Sequence, residues 1–224
     1  MSFLGSSVMR SAVCAVAVVV LAGLPSSSVA QTGAFTDSRD GKTYKTVKIG
    51  KQTWMAENLN YQPDTASWKM EDSASYSDKY GTLYTWSGAR EACPAGWSLP
   101  NRYAWKTLAA AAGGRDEAGM KLKAKSGWGK NGGGTDTYGF SALSGGYRES
   151  YNSEFIGIGK NGYWWTDEIT DEESFDENGE RSWERKVYYT TMNSNSKAMR
   201  ESKTDEYMGH SVYYSVRCVR DVKK

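Results

Sequence analysis

Apolar and polar positions change rhythm several times along the chain. Ala12 to Leu24 is an almost unbroken apolar run, preceded by Arg10 and followed by Pro25 and three serines. Residues 31–39 are polar and patternless, and read as a mobile lead-in. Asp40-Gly41 makes a turn. Tyr44, Val47 and Ile49 then suggest a short strand, Gly50-Lys51 turns it, and Thr53 to Leu59 returns as its partner. Leu83, Trp86, Ala89 or Arg90, and Cys93 recur at helical spacing and place Cys93 on a buried stripe that Pro94 stops. Asn101 is suited to cap a second helix carrying Trp105, Leu108 and Ala112 on one face, closed by Gly113-Gly114. A shorter helical piece is expected over 118–123. Beyond Gly127 glycine clusters separate short aromatic runs, which predicts strands near Tyr138–Leu143, Gly162–Thr166, Val187–Met192 and Val212–Val219. Helices early and strands late predict an α+β domain with a mostly antiparallel, twisted sheet. The first hairpin and the final strand are expected to meet, which brings the termini together.

The leading segment changes what counts as the folded protein. A basic start, an apolar middle and the small residues Ser28 and Ala30 fit a secretory signal over 1–30, cleaved after Ala30. The apolar run falls short of the roughly 20 residues that span a membrane. Cys14 lies at the start of that run rather than after it, which argues against a lipid anchor there. Losing Arg10 lowers the net charge from +2 to +1. So even a balance provides no long-range field to gather nucleic acid or an anionic membrane. The expected location is outside the cytoplasm: periplasm, cell surface or medium. Two cysteines remain, Cys93 and Cys218, and in an oxidising compartment two thiols usually pair. The alternative is two buried free thiols.

Five blocks carry a resemblance. They are KTVKIGKQTWMAENLNY (Lys45–Tyr61), YGTLYTWSGAREACPAGWSLP (Tyr80–Pro100), DTYGFSALSGGYR (Asp136–Arg148), GYWWT (Gly162–Thr166) and SVRCV (Ser215–Val219). In this order they resemble the Fibrobacter succinogenes major paralogous domain, a repeated exported module, over about residues 40–221. The resemblance implies a C-type-lectin-like or sulfatase-modifying-factor-like fold, in which a cysteine of the first helix pairs with one of the last strand. Here these are Cys93 and Cys218. The chain departs from the family in three places. Trp68 to Tyr80 lacks a cysteine pair, Ala104 stands where an acid commonly precedes Trp105, and the acidic stretch after Trp165 is long.

The candidate chemistry favours binding over catalysis. His210 is the sole histidine, which removes multi-histidine metal sites and any triad needing a further base. The two remaining cysteines are better assigned to a bridge than to a reactive thiol. A carboxylate pair of the glycosidase kind is open by count, but nothing beyond composition supports it. Nine Trp and 15 Tyr against five Phe supply rings that fill a core and still present polar tips. Trp164 and Trp165 point to opposite faces of their strand. One of them exposed beside Asp167 and Glu168 could stack on a sugar, with the acids taking hydroxyls. The competing reading packs both rings in the core. Trp68, in a polar stretch, is a second candidate for an exposed ring. Between Asp167 and Glu180 eight acids occur without a base, which predicts a solvated loop or a cation site. Calcium is a weak candidate at Asn131–Asp136 and Asp176–Gly179, neither of which fits the twelve-residue loop. The expected function is therefore an exported, non-catalytic module binding polysaccharide or a surface protein, with a purely structural scaffold as the alternative and no resident cofactor.

Overall fold

A computed structural model describes Met1 and residues 31–62, 67–68, 74–151, 154–175 and 177–220. The expected leader lies outside these residues apart from Met1. In chain order the elements are β1 (Gln31–Thr36), β2 (Thr43–Ile49), β3 (Gln52–Met55), β4 (Ser67–Trp68), α1 (Ala74–Tyr80), β5 (Leu83–Tyr84), α2 (Trp86–Ala92), α3 (Arg102–Ala111) and α4 (Arg115–Leu122). Then follow β6 (Arg148–Glu149), β7 (Asn161–Phe175), β8 (Arg181–Asn193), β9 (Met199–Asp205), α5 (Glu206–Gly209), β10 (Val212–Ser215) and β11 (Val219–Arg220). The fold is α+β and mostly antiparallel.

Two sheets form. The smaller has the order β1-β2-β3-β11, so the last strand closes against the first hairpin as expected. The larger runs β4-β5-β10-β7-β8-β9, with β6 beside β10. Its one parallel pairing joins β10 to β7 at Ser215 and Trp164. The chain passes from the large sheet to the small one through Val216-Arg217-Cys218, all buried.

The expected lead-in is a strand instead. β1 pairs with β2 at every position from Gln31↔Lys48 to Thr36↔Thr43, and Phe35 meets Trp97 with ring centroids 5.3 Å apart. Its side chains are mostly exposed, so backbone pairing holds it and leaves little hydrophobic signature.

The second predicted helix forms as α3, with the Asn101 side chain accepting from the Ala104 N–H at 2.9 Å. The first is shorter than its spacing suggests. Thr85 caps α2, accepting from the Gly88 N–H, so Leu83 falls in β5 and Cys93 is the half-buried C-cap. The strand expected at Tyr138–Leu143 is irregular. Asp136 (φ 47°), Gly139 (φ 69°) and Ser141 (φ 52°) are left-handed, and only Ala142 forms a single bridge, to Lys123. Phe140 and Ala142 are buried there without ladder pairing.

The core lies in two clusters. One gathers Val47, Trp54, Trp105, Leu108, Trp128, Phe140 and Trp164. The other gathers Met55, Leu59, Tyr84, Trp86, Trp97, Trp165 and Tyr214 around Cys218. The bridge Cys93–Cys218 forms, with Cα atoms 5.9 Å apart across a sequence separation of 125. It ties the end of α2 to the strand crossover. Gly162 is required where β7 enters the core, because a Cβ there would meet the Trp164 ring at 2.3 Å.

Candidate functional site

Trp164 and Trp165 do point to opposite faces, but each face is core. Both rings are 0% exposed. The Trp164 Nε1–H donates to Asn58 Oδ1 at 2.9 Å, and the Trp165 Nε1–H to the Tyr84 carbonyl at 2.6 Å. With their polar tips satisfied internally, stacking on a ligand is closed to them. Asp167 and Glu168 lie in a bulge between Trp165 and Ile169. The Asp167 carboxylate faces Arg90 at 3.2 Å across an exposed gap, and Glu168 is half-buried. The Trp68 backbone pairs with Leu83, and its side chain lies outside the described residues. Among the described side chains, Trp164, Trp165, Asp167 and Glu168 do not form one site. His210 is on the surface, with Nδ1 3.4 Å from the Ser87 hydroxyl.

The described part of the acidic run is mostly strand rather than loop. Most of it is the second half of β7, and its partners stand across the ladder, outside the run itself. Glu173 pairs with Arg181 at 3.1 Å, Asp171 lies 3.7 Å from Arg185, and Glu172 accepts from Lys203 and the Tyr188 hydroxyl. Lys203 beside Glu172 holds that carboxyl below the usual range. Asp176 lies outside the described residues. At the other weak calcium candidate, Asp136 is committed elsewhere: its carboxylate accepts from the Ser141 N–H at 2.8 Å and hydroxyl at 2.7 Å. Among the described residues no three His, Cys, Asp or Glu side chains group as a metal site.

The ladder exposes what sequence reasoning passed over. β9 flanks β8 only from Met192 to Lys186, and the ladder pairing of β10 with β7 is confined to Trp164. Past Thr170 and Lys186 the β7–β8 hairpin continues as a two-stranded arm. Cross-strand pairing of Glu173 with Trp183 and of Phe175 with Arg181 puts all four side chains on one face. Trp183 is 61% and Phe175 64% exposed, and among the described side chains Trp183 is the one indole so open. The Arg181 guanidinium sits 5.8 Å from its ring centroid. The signal that singled out Trp68, an indole in a polar run, applies equally to Arg181-Ser-Trp-Glu-Arg185.

A concave feature lies where β1, β2, α1 and the Gly139–Leu143 segment meet. It is a cleft of about 720 Å³ lined among others by Thr32, Lys45, Asn60, Lys79 and Ser141. Arg217 lies beneath it, fully buried. Its guanidinium donates to Asn58 Oδ1 from Nε (3.1 Å) and Nη2 (2.8 Å), to the Phe140 carbonyl, and more distantly to the Ser141 carbonyl (3.4 Å). Burial pushes Arg217 down to about 9, opposed by the charges of Asp136 and Glu57. Carbonyl and amide oxygens solvate this cation, with no carboxylate in contact among the described residues.

A family model described as the Fibrobacter succinogenes major domain matches residues 47–220. The chain belongs to this family. No curated protein and no solved structure matches it. Within the Fibrobacter succinogenes major domain of this chain lie the bridge, both core clusters apart from Tyr44, the arm and the Arg217 hub, whereas β1 precedes the matched segment.

Proposed function

We propose that this chain is an exported, non-catalytic binding module that holds a polysaccharide against the β7–β8 arm, on a C-type-lectin-like architecture. The observation that carries the reading is Trp183, an open indole on a projecting ladder with Phe175 on the same face. An indole left in water presents a flat apolar surface suited to the C–H face of a sugar ring. The neighbouring Glu173–Arg181 pair supplies acceptors and donors for hydroxyls. A helix-to-crossover disulfide and a last strand paired with the first hairpin support the lectin-like part.

The test is depletion of the purified protein by insoluble polysaccharides such as cellulose and xylan. Wild type is expected to bind, and Trp183→Ala to weaken binding about tenfold, the effect of losing an anchor worth roughly 1.4 kcal/mol. No release of reducing ends is expected over hours. Failure of every polysaccharide, with a protein partner retained through the same arm, would replace sugar by protein as the ligand. Failure of both would leave the scaffold.

A further inference from the structure

We infer that the cleft beside α1 is a second ligand site, built for a small sugar acid and separate from the arm. Its volume of about 720 Å³ falls within the range of small-molecule pockets. The stronger observation is the effort with which its Gly139–Ser141 wall is held. Ser141 and Asp136 are both left-handed non-glycine residues, an arrangement costing about 1–3 kcal/mol each. A two-point Asp136 clamp on Ser141 maintains it from one side. From beneath, the buried Arg217 grips the Phe140 carbonyl. Burying an unpaired cation is costly, and strain of this kind persists where a surface must keep a fixed shape.

The lining suggests the ligand. Hydroxyl and amide side chains such as Thr32, Ser141 and Asn60 match a polyol. Lys42 is engaged by Asp40 and the Asn60 carbonyl, whereas no ion pair is seen for the exposed Lys45 and Lys79 among the described residues. The lining also holds Glu57, whose carboxylate accepts from the Lys45 N–H, and the exposed Asp78; three lysines against these two acids leave the hydroxyl-rich cleft net positive, which favours a polyol that also carries a carboxylate.

The probes are glucuronate and galacturonate, with glucose as the neutral control, followed through backbone amide NMR shifts of the full exported protein. Saturable shifts at Lys45, Gly139 and Ser141 are expected, with glucose at least tenfold weaker. Lys45→Glu with Lys79→Glu should weaken uronate binding at least tenfold. Both residues are exposed, so an unchanged melting temperature is expected and confirms a folded variant. Trp183→Ala should leave these shifts unchanged, which separates the cleft from the arm. Absence of saturable shifts in the cleft would overturn the inference. So would equal binding of glucose, or uronate binding indifferent to the lysine changes.

Discussion

Asn58 is the residue on which the interior converges. Its Oδ1 accepts from Trp164 and from two nitrogens of Arg217, while its amide nitrogen donates to the Tyr80 carbonyl and the Ser215 hydroxyl. Asn58→Leu would strip Arg217 of its main acceptor and strand a buried cation. A loss of about 3–5 kcal/mol is expected, measured by urea unfolding, with weakened anchoring of Ser141. Asp37 makes a pH-dependent contribution. Its buried carboxylate forms a two-point pair with Arg39, which holds it below its ordinary value of 3.8. A depressed carboxyl stabilises the fold above its unfolded value, and that contribution disappears as pH falls through the folded one. Stability should therefore begin to fall below about pH 4. Asp37→Asn should cost about 2 kcal/mol at neutral pH and show a shallower acid decline in the same melts. An identical acid profile in the variant would contradict the assignment.

At the scale of elements, legibility tracked side-chain burial. α3 was readable because Asn101 caps it and Trp105 and Leu108 repeat on its inner face. The β2–β3 hairpin was readable from Val47, Ile49 and the turn after them. β1 was not, since its side chains face water and backbone pairing holds it. The β7 extension was hidden because its basic partners, Arg181, Arg185 and Lys203, lie on other strands. Trp164 and Trp165 were drawn to the correct strand and opposite faces, and of the two readings open for them the structure matches the one that packs both rings in the core. The open indole was Trp183, in the strand's partner. A two-stranded ladder without a third strand is only marginally stable. Amides of residues 171–175 and 181–185 should therefore exchange with solvent at least a hundredfold faster than those of Tyr163–Trp165. Equal protection along β7 would mean that the arm is packed against something.

For the whole molecule, the bridge spans the domain. Cys93 and Cys218 close a loop of 125 residues, and joining them removes unfolded-state freedom worth about 4–5 kcal/mol in the chain-entropy view. Reduction, or Cys93→Ser with Cys218→Ser, should cost about 2–5 kcal/mol in chemical unfolding while leaving the proposed polysaccharide contact of the arm intact if the domain still folds. The fold thus separates its tasks: a cross-linked body buries most of the described indoles, and a projecting ladder keeps one of them in water. The decisive measurement is oxidative footprinting of Trp183 with and without saturating polysaccharide. Its oxidation should fall at least fivefold when the glycan is present, while the buried Trp164 and Trp165 stay unreactive throughout. Unchanged oxidation of Trp183 under saturating polysaccharide would contradict a binding surface on the arm.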